Sequence, residues 1–155
     1  MRKLFWLAFS AAVIALDQIT KCLAGKYLIP YLPKPVMPMF NLTLAYNTGA
    51  AFSFLSDAGG WQRWFFALFS VVMSIALLVW LIRLPAKAVL QSFAVSLILG
   101  GAVGNLYDRA VLGHVTDFID IYYNNHHFPV FNVADIAICI GAFLLVVDLC
   151  KNPSQ

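Results

Sequence analysis

Glutamate is absent from this 155-residue sequence, and charged residues of every kind are scarce. All seven acidic residues are aspartates, which excludes a zinc-peptidase HExxH helix, because that motif needs a glutamate. Charged residues make up 11% of the chain, whereas soluble domains carry about 25%. The net charge of +3 forms no basic patch, and aromatic residues reach 15%. This composition excludes an ordinary water-soluble protein, a nucleic-acid-binding protein and a disordered chain.

Cysteine is also scarce. Cys22, Cys139 and Cys150 have no CxxC spacing and suggest no disulfide framework, so we interpret all three as reduced, small apolar residues. Cys22 invites a lipoprotein-signal interpretation. However, Lys21 precedes it, and residues 17–20 are not the small residues of a cleavage site. The first apolar run is therefore predicted to be a retained membrane span.

The sequence has few charged residues but several long apolar runs. A spanning helix needs about 20 mostly apolar residues. Four runs predict spans at about residues 4–20, 64–82, 88–107 and 133–150, and the second and third contain no charged residue. The length allows one domain. We therefore predict a single integral-membrane domain over residues 1–155.

The distribution of basic residues predicts the orientation of these spans. Four spans place three short segments on one side, and those segments carry Arg2, Lys3, Arg83, Lys87 and Lys151. Because short cytoplasmic loops are rich in lysine and arginine, that side is predicted to be the cytoplasm. Both termini are then cytoplasmic. Residues 21–63 and 108–135 face outward.

The first outward segment has the pattern of a small sheet. Four of the seven prolines fall between residues 30 and 38, which excludes helix there. Residues 40–47 then alternate with period two, which predicts a strand with one apolar face, and Thr48-Gly49 forms a turn. Residues 50–55 are apolar, and residues 57–60 are polar and flexible. An amphipathic sheet on the outer leaflet and a simple hairpin both fit this pattern.

Two motifs lie near the outer end of the third span. Gly100 and Gly104 form a GxxxG pattern, which indicates close packing of helices. Asp108 and Arg109 follow at the mouth of the span. They are either an interfacial ion pair or a pair that positions a substrate, with Arg109 donating to carbonyl oxygens.

The remaining candidates lie between the third and fourth spans. Asn132 and Asp135 have the spacing of an N-cap and the third residue of a helix, so Asp135 is a helix cap, a catalytic carboxylate, or both. Asp117 and Asp120 point to opposite faces if the chain is extended there. Asp120 is then expected to face solvent. Together with Asp57 and Asp148, it is interpreted as incidental.

Other chemistries find little support. His114, His126 and His127 with Asp117 match no metal-ligand spacing, so no metal and no cofactor are predicted. The sequence has no GxSxG motif, and a Ser/Lys dyad has no local support. Acid–base chemistry by two aspartates is the mechanism left. Two close carboxyls cannot both ionise easily, so one stays protonated and the other can act as a base on water.

Five ordered blocks then match a known family: residues 16–21, 47–53, 101–109, 113–118 and 128–135. Over nearly its whole length the chain resembles lipoprotein signal peptidase, also called signal peptidase II. The fold that the resemblance implies is a membrane all-α fold. It has four transmembrane helices, a small outward-facing β-cradle and a periplasmic loop or half-helix.

The resemblance also implies a function and a site. The enzyme would be an aspartic endopeptidase of the bacterial inner membrane, with its site near the periplasmic face. It would cut prolipoproteins just before their diacylglyceryl cysteine, would be inhibited by globomycin, and is expected to be a monomer among membrane lipids. The implied catalytic pair is Asp117 and Asp135. The implied supporting residues are Asp17, Lys21, Asn47, Asn105, Asp108, Arg109 and Asn132.

Two other classes of function compete with the peptidase. A small proton-coupled transporter would use aspartates as a relay, and it predicts acidic residues deep within spans and often an internal repeat. The candidates here lie near span ends, and the sequence shows no repeat. A membrane scaffold without catalysis would use Asp135 only as a helix cap.

Overall fold

The structure is a computed structural model that describes residues 2–49, 61–124 and 126–151. Within these ranges the chain forms four helices and four strands. In chain order they are α1 (Arg2–Tyr27), β1 (Lys34–Met37), β2 (Phe40–Asn47), α2 (Trp61–Arg83), α3 (Val89–Val111), β3 (Val115–Tyr123), β4 (His126–His127) and α4 (Val133–Lys151).

All four helices are long and apolar enough to cross a membrane, which confirms the four predicted spans. Three of them end within a few residues of the predicted bounds. The first is longer, because α1 continues past Asp17 as far as Tyr27. Lys21, one turn after Asp17, forms an ion pair with it at 2.8 Å, so the charge at residue 21 does not stop the helix. Pro30 follows soon after the last turn.

Helix α3 is the centre of the bundle and contacts each of the other three helices. The predicted GxxxG packing is confirmed at its contact with α1. A Cβ added at Gly100 would lie 2.7 Å from the Cβ of Val13, and one at Gly104 would lie 2.6 Å from an Asp17 oxygen. Gly101 packs in the same way against the backbone of Ala134 on α4. The helices can therefore approach closely at the end of the bundle where the polar residues gather.

The four strands form one antiparallel sheet in the order β1-β2-β3-β4. It lies at the end of the bundle where α1 and α3 end and α2 and α4 begin. The predicted strand over residues 40–47 is confirmed as β2. A periplasmic loop or half-helix was also expected. The described residues between α3 and α4 form strands β3 and β4 and no helix. The predicted apolar stretch and flexible loop at residues 50–60, including Asp57, lie outside the described residues.

The prediction that Asp120 faces solvent is wrong. Asp117 and Asp120 do lie on opposite faces of β3, but Asp120 is only 2% exposed. It accepts hydrogen bonds from Asn41 and Thr43 of β2 and contacts His127 of β4, because these side chains cover the second face of the sheet. Burial alone raises the pKa of Asp120, but the hydrogen bonds from His127, Thr43 and Asn41 hold it below its usual range.

Asp148, interpreted from its sequence context as incidental to function, has a structural contact. It is buried between helices and accepts a hydrogen bond of 2.6 Å from Gln91. Gln91 lies in the first turn of α3 and Asp148 in the last turn of α4. The pair therefore joins α3 to α4 at the end opposite to the sheet.

Candidate active site

The two predicted catalytic aspartates line one cavity. Asp117 is the third residue of β3, and Asp135 comes from the first turn of α4. The cavity has a volume of about 640 Å³ and extends along one side of α4, as far as Ile140. Asn47, Asn105 and Arg109 line its polar part. Its apolar part includes Tyr31, Tyr46, Val115, Phe128, Pro129, Val130, Phe131, Ile136, Ile138, Cys139 and Ile140.

The start of α4 is a reciprocal capping box. The Asn132 side-chain oxygen accepts a hydrogen bond from the Asp135 backbone N–H at 2.9 Å. The Asp135 carboxylate accepts one from the Asn132 backbone N–H at 3.2 Å. The predicted capping role of both residues is therefore confirmed. The same bonds fix the Asp135 side chain at the cavity, so capping and catalysis do not compete for it.

Asn132 also links the two carboxylates. Its Nδ2 donates to Asp117 Oδ1 at 2.7 Å and to Asn105 Oδ1 at 3.2 Å. Asn105 in turn donates from Nδ2 to Asp135 Oδ1 at 2.8 Å. Asn132 is completely buried, so these bonds are not exchanged with solvent. Two amide side chains thus hold both carboxylates in one connected arrangement.

Lys21 provides the positive charge beneath this arrangement. Its ammonium group lies 2.8 Å from Asp17, 3.0 Å from Asp108 and 2.8 Å from the Asn105 oxygen. Lys21 is only 5% exposed, and an ammonium has three N–H donors. Each of the three donors has an acceptor. Asn105, which accepts one of these hydrogen bonds, itself donates to Asp135.

Asp17 and Asp108 connect this lysine to the backbone of the site. Asp17 accepts a hydrogen bond from the Ala134 N–H at 2.9 Å, next to Asp135 in α4. Asp108 accepts one from the Thr116 N–H at 3.0 Å, next to Asp117 in β3. Each carboxylate therefore fixes the backbone beside one of the two candidate catalytic residues.

The neighbours Asp108 and Arg109 do not pair with each other in the described structure. Successive helical residues point in different directions, so Asp108 faces Lys21 while Arg109 faces the cavity. Asn47 donates to Asp117 Oδ2 at 3.3 Å from the end of β2. The Arg109 guanidinium is near the same strand end, donating at 3.3 Å to the Gly49 carbonyl.

The environment of Asp117 changes its acidity. Burial raises the pKa of its carboxyl from 3.8 to about 7, and the nearby Asp135 carboxylate acts in the same direction. Hydrogen bonds from Asn132 and Asn47 lower this pKa but do not offset the burial. With a pKa near 7, the Asp117 carboxyl keeps its proton to a far higher pH than an exposed aspartate does, and it lies next to a second carboxyl.

Two residues of this region were not among the predicted site residues. Gln18 donates from Nε2 to Asp108 at 2.9 Å, so it joins the polar arrangement from α1. Its place next to Asp17 in a matching block was the available signal. Arg63 of α2 donates to the carbonyl oxygens of Arg109 and Ala110 at 2.9 and 2.8 Å. No sequence pattern pairs residues 63 and 109.

The histidines lie elsewhere. His114 packs against Tyr46 with ring centroids 4.4 Å apart and the ring planes tilted by 56°, and burial lowers the pKa of His114. His127 contacts Asp120 on the far face of the sheet. Over the part of the chain that the structure describes, no three His, Cys, Asp or Glu side chains form a metal-binding group. The three cysteines are free and exposed, and Cys139 lines the cavity.

Comparisons with known proteins agree on one family. The family model described as "Signal peptidase (SPase) II" matches residues 9–151. The chain is 55% identical to a lipoprotein signal peptidase of Acinetobacter baumannii over 145 residues, covering 94% of this chain and 82% of the relative. It is 53% identical to a lipoprotein signal peptidase of Pseudomonas putida over 152 residues, covering 97% and 89%.

Two solved structures of bacterial membrane enzymes share the fold of this chain. A bacterial membrane enzyme determined by the in meso method at 2.3 Å resolution aligns with a TM-score of 0.86 at 32% identity, over 97% of this chain and 90% of that one. A second such structure, at 1.9 Å resolution, aligns with a TM-score of 0.82 at 32% identity over 96% and 94%. The match of fold, sequence and family model across nearly the whole length shows that this chain belongs to the signal peptidase II family.

Proposed function

We propose that this protein is an aspartic endopeptidase that removes the signal peptide from diacylglyceryl-modified prolipoproteins in a bacterial inner membrane. It would cut the bond just before the lipidated cysteine. The observation that carries this proposal is the pair Asp117 and Asp135, both bound to Asn132 at one cavity near the ends of membrane-spanning helices. Family membership supports the same activity.

The proposed chemistry divides one proton between the two carboxyls. Asp117, whose pKa is raised to about 7, holds the proton in the resting enzyme. The Asp135 carboxylate removes a proton from water, and the water oxygen attacks the scissile carbonyl carbon while Asp117 protonates the carbonyl oxygen. The tetrahedral diol then breaks its C–N bond: the nitrogen leaves with the proton from Asp135, and one diol hydroxyl returns its proton to Asp117 as the new carboxyl group forms, which restores the resting pair. General acid–base catalysis of this kind contributes about 10²–10⁴ in rate.

Positioning must supply much of the remaining acceleration. The amides of Asn47, Asn105 and Asn132 fix the carboxylates through bonds of 2.7 to 3.3 Å. Arg109 faces the cavity with a guanidinium that has five donors, and within the described ranges its hydrogen bonds go to carbonyl oxygens at 3.3 and 3.5 Å. Arg109 is therefore proposed to hold peptide carbonyls of the substrate.

The apolar part of the cavity suits a lipid-linked substrate. Ile136, Ile138, Cys139 and Ile140 extend the lining along α4 away from the carboxylates. Ile140 is 47% exposed on a helix that spans the membrane. A diacylglyceryl chain can therefore remain among lipid tails while the peptide bond beside it reaches the polar end. Lipid contact, sensitivity to globomycin and a monomeric state are part of this proposal.

The proposed orientation places the site at the outer surface. Arg2, Arg83, Lys87 and Lys151 belong to the end of the bundle away from the sheet. Because basic residues favour the cytoplasmic side, both termini are proposed to be cytoplasmic and the carboxylate pair periplasmic. The transporter alternative has no support, since the family is one of peptidases and both carboxylates lie near helix or strand ends.

Separate Asp117→Asn and Asp135→Asn variants test the proposal, with Asp148→Asn as a matched buried aspartate at the opposite end of α4. Each would be purified in detergent and assayed on a lipid-modified prolipoprotein. We expect both site variants to fold and to lose cleavage by at least about 10²-fold. The control should cleave normally. Near-normal processing by either site variant would refute the aspartate pair.

A further inference from the structure

Helix α2 contributes two side chains to the region around Arg109, although none of the α2 side chains that the structure describes lines the candidate catalytic cavity. Arg63 donates through Nε to the Arg109 carbonyl oxygen at 2.9 Å and through NH2 to the Ala110 carbonyl oxygen at 2.8 Å. Phe66 lies one turn later, and its ring is 5.6 Å from the centre of the Arg109 guanidinium. One residue of α2 thus holds the backbone of Arg109, and another contacts its side chain.

The end of α3 explains why it needs these contacts. The last four carbonyl groups of a helix have no helical partner. At the end of α3, the Asp108 carbonyl accepts the N–H groups of Leu112 and Gly113 at 2.7 and 3.1 Å. The next two carbonyls, those of Arg109 and Ala110, are the ones that Arg63 binds. A cation at this position also complements the negative end of the helix dipole.

Gly113 makes room for this cap. Its φ of +86° is in the left-handed region, and a Cβ at this position would lie 3.0 Å from Arg63 NH1. A side chain at residue 113 would therefore be strained by its backbone conformation and would press on the guanidinium of Arg63. Arg63 therefore contacts both the last turn of α3 and Gly113, in the turn that leads into β3, the strand of Asp117.

Arg109 itself has few other contacts. Its side chain forms no ion pair with a carboxylate in the described ranges, and its hydrogen bonds to Gly49 and Asn105 carbonyls are 3.3 and 3.5 Å long. Asn105, by contrast, is fixed by bonds of 2.8 Å on both its oxygen and its nitrogen. Arg109 is therefore the loosely held member of the site, and its position depends on what supports it from outside.

We propose that Arg63 and Phe66 are positioning residues for the peptidase reaction: they hold the backbone and guanidinium of Arg109 so that its donors point at the substrate peptide. Neither residue contacts the cavity, so both act through Arg109. The inference rests on the proposed function, in which Arg109 binds substrate carbonyls. It makes the start of α2 part of the catalytic apparatus.

A double-mutant cycle tests this inference in the full-length enzyme. Arg63→Gln alone should lower kcat/KM roughly 10- to 100-fold, because small misplacements of a positioning group cost that much. Added to Arg109→Lys, the same change should lower it by less than about twofold, because Arg63 then has no guanidinium left to position. Arg83→Gln, at the other end of α2, is the matched control and should be active.

A purely structural role gives a different result. The effect of Arg63→Gln would then multiply with that of Arg109→Lys, and this outcome would overturn the inference. Full activity of Arg63→Gln would overturn it as well. If Arg63→Gln fails to accumulate, Arg63→Lys replaces it in the cycle, because lysine keeps the charge but not the paired N–H donors.

Phe66 gives an independent arm. Phe66→Tyr keeps an aromatic face for the guanidinium and should keep activity, whereas Phe66→Leu removes that face and should lower kcat. Equal kcat values for the two variants would contradict the role of Phe66.

Asp117→Asn separates the two proposals: if it cleaves normally, the proposed function fails and the inference fails with it. If it is inactive while Arg63→Gln is fully active, only the inference fails.

Discussion

Asp117 shows how one residue acquires the chemistry of the site. Nothing about an aspartate between Thr116 and Phe118 predicts a raised pKa. The shift comes from burial, since the side chain is 3% exposed, and then from Asp135 eighteen positions later. The residue type was predictable from the sequence, but its protonation state was not, because burial is a property of the folded chain.

The raised pKa predicts a pH profile. Asp117 loses its proton as the pH rises through about 7, and the pair then carries two charges and lacks its acid. Cleavage by the wild-type enzyme should therefore fall with an apparent pKa near 7. This value belongs to the pair as a unit. A rate on lipid-modified substrate that stays constant from pH 6 to pH 9 would contradict this assignment.

The same group links stability to pH. Because its pKa is higher in the folded state than in the unfolded state, the folded protein binds more protons between about pH 4 and pH 7. Stability from this group is complete below that window and is lost as the pH rises through it. Asp117→Asn removes the effect, so its melting temperature in detergent relative to wild type should be higher at pH 8 than at pH 5.

At the scale of elements, local patterns were informative and long-range partners were not. The period-two alternation predicted β2, and the Asn132–Asp135 spacing predicted the capping box, because both depend on residues close in sequence. The burial of Asp120 depends on Asn41, 79 residues away. The contact of Lys21 with Asn105 spans 84 residues. A single sequence does not encode such pairs in any readable spacing.

Close contact between α3 and α4 yields a prediction at this scale. A Cβ at Gly101 would run into the Ala134 carbonyl oxygen, which is backbone and has little freedom to shift. Gly101→Ala should therefore destabilise the protein by about 1–3 kcal/mol. It should also lower cleavage, because Asp135 follows directly after Ala134.

The matched control for this change is Gly25→Ala in α1. No atom lies within 4 Å of a Cβ added there. Since alanine favours helix over glycine by about 1 kcal/mol, this variant should be at least as stable as the wild type. Thermal unfolding in detergent measures both. Equal melting temperatures for the two variants would show that α3 and α4 are not held by this contact.

At the scale of the whole molecule, the sequence predicted the architecture well. Four apolar runs, two longer connecting segments and one strand could be read directly, and the family resemblance supplied the candidate site residues that the fold then gathers at one end. What the sequence could not supply was the length of α1 or the strand character of residues 115–123. Both depend on partners in other elements, namely Asp108 and Asn105 of α3 for Lys21 and β2 for β3.

The proposed orientation is testable on the intact cell envelope. In a background with the three native cysteines replaced by alanine, Lys34→Cys and Lys87→Cys place single exposed thiols at opposite ends of the bundle. A membrane-impermeant thiol reagent should label position 34 in spheroplasts, and position 87 only after permeabilisation. The reverse pattern would invert the proposed topology.

The capping box has a consequence for the stage of folding at which the two aspartates are joined. Asp135 is in place only when α4 has started at Asn132, and Asn132 binds Asp117 only when β3 has paired with β2. A chain in which α4 or β3 has not yet formed therefore carries both aspartates without the bonds that join them. Under the proposed function, such a chain would not cleave other proteins before its own folding is complete.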